Sequence, residues 1–170
     1  MTRKIHTISV GTNVSICADS EAIYFAFECK EPYLSKLKCQ STQNDDRTIS
    51  DDDNVEIVIC KHENKYPLYY FGLSAKGLKL DYTYNNVKGE EWNFEYNPKW
   101  QSSVSHNKDS WNAELRILWQ SLQIEPTFPI KLKLNFGRNR AHFKEKAKWA
   151  PSLRWAPFER KWFGNITVDR

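Results

Sequence analysis

The feature that most constrains this chain is a two-residue rhythm. In Ile130–Phe136 (IKLKLNF) apolar and polar residues alternate along the segment, so successive side chains fall on opposite faces of a strand, one buried and one wet. The rhythm recurs in Ala22–Cys29, where Ile23, Phe25, Phe27 and Cys29 share a face, and in Leu78–Tyr84. It returns in Trp111–Leu118 (WNAELRIL), with Trp111, Ala113, Leu115 and Ile117 on one side. Val14–Ala18, Val55–Cys60, Tyr69–Ser74, Trp92–Tyr96, Trp100–Ser105 and Phe163–Val168 read as further strands. Turn formers separate them: Asp19-Ser20-Glu21, Glu31-Pro32, Ala75-Lys76-Gly77 and Asn97-Pro98. Residues 33–54 read as one long surface loop and Arg138–Lys148 as a basic connection. The only helical candidate is a single turn in Trp119–Ile124, ahead of Pro126. About nine or ten short strands without a linker or repeat predict one antiparallel β-sandwich, immunoglobulin- or jelly-roll-like, over residues 1–170.

Composition removes several classes. A 40% hydrophobic and 27% charged chain is globular rather than disordered. No apolar run approaches the ~20 residues that span a bilayer, and MTRKIHTISV has no apolar signal core, so no membrane partner is expected. The four cysteines (Cys17, Cys29, Cys39, Cys60) are too widely spaced for a CxxC motif. A Cys17–Cys29 bridge and buried thiols both remain open. The histidines (His6, His62, His106, His142) show no paired spacing, so no zinc site is expected. No nucleophile elbow, phosphate loop or dinucleotide fingerprint is present.

Charge is unevenly spread. Residues 131–170 hold 11 Lys and Arg against 3 Asp and Glu, a surplus of eight in a chain of net +4, which leaves residues 1–130 at −4. That basic stretch, interleaved with Trp149, Trp155 and Trp162, has the ingredients of a single-stranded nucleic-acid groove. The acidic remainder argues against such a partner.

The acidic end lies at Asp45–Cys60, DDRTISDDDNVEIVIC. Asp51, Asp52 and Asp53 offer oxygen ligands of the kind Ca²⁺ takes, although the spacing is not that of an EF-hand loop, and a solvated turn explains them equally well. In the strand that follows, Val55, Ile57 and Ile59 face one way and Glu56, Val58 and Cys60 the other. Glu56 with Asp81 or Glu114 would be the carboxylate pair of a glycosidase, at a separation of about 5.5 Å or ~6.5–9.5 Å. Nothing else in the chain supports catalysis, and no catalytic residue is assigned.

Seven segments in order resemble the carbohydrate-binding module family 9-like domains. They are IYFAFECKEP, DDDNVEIVI, YYFGLSAKG, SWNAELRI, LKLNFGRNR, KWAPSLRW and WFGNI, in a resemblance that spans residues 14–168. The resemblance implies a non-catalytic sandwich that holds sugar between aromatic rings, accessory to polysaccharide degradation. An extracellular or cell-surface location follows from that reading. Glu56 matches the family's Val-Glu glutamate, and Asn135, Arg138 and Asn139 supply further polar groups, with Trp155 or Phe158 as a ring. Ile49-Ser50 stand where the family carries its other ring. A sandwich that serves only as a structural or protein-binding module is the alternative.

Overall fold

A computed structural model describes residues 9–61, 66–150 and 163–169. Eleven strands form two antiparallel sheets. The first contains β1 (Thr12–Ala18), β2 (Ala22–Lys30), β8 (Ser110–Leu118) and β7 (Trp100–His106), in the order β1-β2-β8-β7. The second runs β10-β9-β3-β4-β5-β6, comprising β10 (Glu145–Lys148), β9 (Ile130–Arg140), β3 (Asn54–Lys61), β4 (Leu68–Ser74), β5 (Lys79–Asn85) and β6 (Glu91–Asn93). β11 (Gly164–Val168) pairs with the first half of β9, on residues Ile130–Leu134, while β10 pairs with Gly137–Arg140. The sandwich expected from the alternation is therefore present, and Trp119–Leu122 forms the anticipated turn. Three more 3₁₀ turns, at Leu34–Lys36, Arg47–Asp51 and Ala141–Phe143, lie in the connections.

The alternating apolar faces meet between the sheets. Ile23, Phe25 and Phe27 of β2 and Trp111, Ala113 and Leu115 of β8 pack on Val55, Ile57 and Ile59 of β3. Phe136 of β9 meets Phe25 and Phe27 edge-on, at 5.8 and 5.9 Å between ring centroids. The second sheet is also covered on its outer side. Ile49, Val58, Leu68, Tyr70, Leu80, Tyr82, Tyr84 and Phe163 form a separate apolar cluster there. Hence β4 is buried along its whole length and β3 along all but its last residue, which explains runs such as VEIVIC better than one-sided alternation does.

Three stretches depart from the expectation, the first being the strand read at Trp92–Tyr96, which ends at Asn93 as the short β6. β9 continues to Arg140 and turns through Lys144 (φ 55°) into β10, where a basic connection was expected. The alternation is real there, but Arg138 and Arg140 take the inward positions usually held by apolar side chains. Both are buried because Glu31, just past β2, receives them: Arg140 Nε and Nη2 donate at 2.5 and 2.7 Å and Arg138 Nη2 at 3.4 Å. The 33–54 loop is likewise tied down. Asp52 accepts from the Gln40 and Ser41 N–H groups at 2.8 and 3.0 Å, Asp53 from Lys38 N–H at 2.7 Å, and Ile49 is fully buried. Cys17 is exposed and Cys29 buried, and they do not bridge: their partners across the β1–β2 ladder are Tyr24 and Thr12.

Candidate functional site

Glu56 sits at the centre of the outer face of the second sheet. In the register it lies between Gly72 of β4 and Gly137 of β9. Glycine on both flanks leaves a slot around the carboxylate, and each glycine is required by a close approach. A Cβ on Gly137 would stand 3.0 Å from Glu56 Oε2, and one on Gly72 would stand 3.0 Å from the Tyr70 ring and hydroxyl. The Tyr70 ring can thus lie over Gly72 and donate its O–H to the Glu56 carboxylate. Tyr82 stacks on Tyr70 at 4.3 Å and 12°. Beyond Tyr82 lie Trp92 and Phe94, with the Arg47 guanidinium 3.8 Å above the Phe94 ring.

Glu56 is only 7% exposed and borders a small depression of about 10 Å³ whose walls include Val58, Asn135, Gly137 and Lys148. Burial raises its pKa. The nearby Lys146 and Lys148 ammonium groups and the Tyr70 hydrogen bond work in the other direction. The room left by the two glycines is taken up by the Tyr70 ring and by the Glu56 side chain itself. The carboxylate is thus a nearly buried acceptor that already receives one hydroxyl proton, and a ligand that donates hydroxyl protons suits its remaining lone pairs.

The other expected residues divide. Asn135 shares the outward face but is engaged with the backbone: its Oδ1 accepts from Ala150 N–H at 3.0 Å and its Nδ2 donates to Ala150 carbonyl at 3.3 Å. Asn139 also faces outward and donates to the Ser50 and Asp52 carbonyls at 3.2 and 2.8 Å, fastening the loop. Arg138 is not brought to this face. Its odd position in β9 turns it inward to Glu31, Lys30 carbonyl (2.9 Å) and Thr12 Oγ1 (3.1 Å). Trp155 and Phe158 lie outside the described residues. Ile49, at the expected ring position, is sealed in the outer cluster rather than presented to a ligand. Trp149, one of the tryptophans in the basic stretch, is 55% exposed.

The remaining chemistries are also placed. Asp81 faces the interior and accepts from Trp100 Nε1 at 2.8 Å, and Glu114 lies on the outer face of the first sheet. Neither shares a face with Glu56, so neither can complete a glycosidase pair with it. The carboxylates of Asp52 and Asp53 serve backbone amides, and among the described residues no cluster of three or more metal-ligating side chains occurs. The sequence reading overlooked Gly72, Gly137, Tyr70 and Tyr82. Glycines in the middle of two apolar strands, YYFGLS and LNFGR, were the available signal.

No family model matches the sequence, and no curated protein does. Solved structures match the fold. A Bacteroides uniformis ATCC 8492 protein described as carbohydrate-binding superimposes with a TM-score of 0.76 at 15% identity, covering 94% of this chain and 79% of that one. A family 9 carbohydrate-binding module from Caldicellulosiruptor kristjanssonii in complex with glucose gives 0.71 at 14% identity, over 97% and 80% of the two chains. The same organism's family 9 module in complex with cellotriose gives 0.69 at 14%, over 97% and 78%. The chain shares its fold with the family 9 carbohydrate-binding modules.

Proposed function

We propose that this protein binds carbohydrate without altering it, through Glu56 on the outer face of the second sheet. The observation that carries the reading is the slot itself: a nearly buried carboxylate flanked by Gly72 and Gly137, with the stacked Tyr70–Tyr82 pair beside it. A sugar offers vicinal hydroxyl donors to a carboxylate and a C–H face to an aromatic ring; Glu56 is the acceptor for the first, and the buried Tyr70–Tyr82 pair backs that carboxylate. The neighbours of the same fold include modules in complex with glucose and cellotriose, which supports a glucan-like ligand. An accessory role in polysaccharide degradation is proposed as the consequence of such a ligand. In this reading Trp155 or Phe158 supplies the ring that Ile49 does not. Asn135 and Asn139 hold the frame, and Arg138 supports β9 from the opposite side.

Isothermal titration with glucose, cellotriose and a panel of neutral oligosaccharides tests it. Glu56→Gln is expected to weaken affinity about 10-fold or more, the cost of a charge-assisted hydrogen bond, and Trp155→Ala to weaken it further. Raising the salt concentration should leave affinity nearly unchanged, in contrast with the steep loss of a nucleic-acid complex. Absence of binding to every sugar, or full affinity in Glu56→Gln, refutes the assignment.

A further inference from the structure

The first sheet carries a second feature on its own outer face, opposite in the molecule to Glu56. A trough of about 500 Å³ crosses its four strands. The register shows how it arises. Ser15, Ala26, Glu114 and Ser103 lie in one row across β1, β2, β8 and β7. Three of these four side chains are small, so the row is a depression. The next row is Cys17, Tyr24, Arg116 and Gln101, taller residues that make its wall. With strands ~4.8 Å apart, four of them give a length of about 14 Å, enough for several linked rings rather than one.

The wall is held in place before any ligand arrives. Tyr24 donates its O–H to Asp19 Oδ2 at 2.7 Å, Arg116 Nε donates to Tyr24 Oη at 3.2 Å, and Arg116 Nη2 meets Glu21 at 2.8 Å. Preformed geometry lowers the ordering cost of binding. The polar side chains of the row itself differ: Ser15, Ser103 and Glu114 are exposed, and none has a hydrogen-bond or ion-pair partner among the described residues.

Charge chooses the occupant. Arg116 is compensated by Glu21, and Glu28 beyond the far side by Lys30 at 2.9 Å. Glu114 is then the one uncompensated charge in the trough. A polyanion is repelled, whereas a neutral polyol gives the carboxylate hydroxyl donors and gives Ser15, Ser103 and Gln101 both donors and acceptors. Ala26 offers an apolar floor, and the Tyr24 ring an apolar flank, to its C–H face. We infer that this trough is a second glycan site, taking a neutral oligosaccharide laid across the strands, independent of the Glu56 slot.

The test is an NMR titration of the ¹⁵N-labelled protein with cellohexaose, xylohexaose, mannohexaose and laminarihexaose, with oligogalacturonate as an anionic probe. At least one neutral probe should move the amide signals of Ala26, Ser103 and Glu114. Ala26→Trp, an exposed change to a residue that suits strands, should abolish those shifts and leave any response around Glu56 intact. Glu114→Ala should weaken the trough response about 10-fold or more. In Glu56→Gln the trough signals should still move, so failure at either site is read separately. The inference is overturned if no neutral probe moves the trough signals, if Ala26→Trp leaves them moving, or if oligogalacturonate moves them more strongly. It is equally overturned if they shift with protein concentration alone, which would mark a contact between copies.

Discussion

At the scale of single residues, two acids in one sheet, on β3 and β5 with β4 between them, have been moved the same way for different ends. Burial pushes the Asp81 carboxyl up to about 6, against the pull of its Trp100 hydrogen bond. Burial also raises Glu56. A carboxyl raised in the folded state adds stability below its unfolded pKa and forfeits it as pH rises through the folded value. Asp81→Asn keeps an acceptor for Trp100 and removes the ionisation, so it should stabilise the fold by about 1–3 kcal/mol at pH 7–8 and by almost nothing at pH 4. Urea denaturation at the two pH values reads this directly. Equal effects at both would mean that Asp81 does not ionise against burial. Glu56→Gln should also gain stability at neutral pH, while losing sugar affinity. A residue retained at a cost to the fold and needed for a ligand is the signature of a functional group, and Asp81→Asn, with its internal partner, should leave sugar affinity untouched.

At the scale of elements, the strands were legible because alternation is a direct consequence of one wet and one dry face. β1, β2, β3, β4, β5, β7, β8 and β11 fall within two residues of the segments read from the sequence. What escaped was everything that alternation does not encode. The inward arginines made the end of β9 look like a loop, since the pattern cannot show that Glu31, over a hundred residues away, neutralises them. The burial of Ile49 depended on a loop folding back onto an outer face, another contact between distant segments. The slot around Glu56 was half legible: the glutamate stood out, but its glycine flanks became meaningful only when the register set them opposite one another. That register predicts a local effect. Gly137→Ala places a methyl group 3.0 Å from Glu56 Oε2 and 3.4 Å from its Cβ, and the carboxylate has Tyr70 on its other side. The variant should lose about 1–2 kcal/mol of stability and bind sugar more weakly. Gly11→Ala, which meets nothing within 4 Å, should change neither by a measurable amount. Comparable losses in both variants would point to a general glycine effect rather than to the slot.

At the scale of the whole molecule, the two sheets are joined by the apolar core, by the Trp100–Asp81 hydrogen bond and by a buried ionic clamp. Glu31 follows β2 in the first sheet, and Arg138 and Arg140 belong to β9 in the second, so their ion pairs bridge the sandwich. Arg140 extends the link through Nη1 to Glu145 at 3.0 Å and to Ser9 Oγ at 2.7 Å. Arg138 Nη1 reaches the Gly11 carbonyl and Thr12 at the start of β1. Burial acts to raise the Glu31 pKa, but the hydrogen bonds from Arg140 and the Tyr33 N–H, with both guanidinium charges, bring it below the ordinary carboxylate value. Its sign is therefore opposite to that of Asp81: the contribution is present above the unfolded pKa of Glu31 and disappears as pH falls through the depressed folded one. Glu31→Gln leaves the buried Arg138 guanidinium without its counter-charge and Arg140 with Glu145 alone, which should cost about 3–5 kcal/mol at pH 7. The difference from the parent should narrow only in acid, once the parent's Glu31 is itself protonated. Replacing Glu31, Arg138 and Arg140 together by Leu and Met should recover much of the loss, because apolar side chains of similar volume need no counter-charge at all. Urea denaturation of the three proteins between pH 3 and 7 decides the matter. A single variant as stable as the parent at pH 7 would mean that the sheets hold together without the ionic clamp.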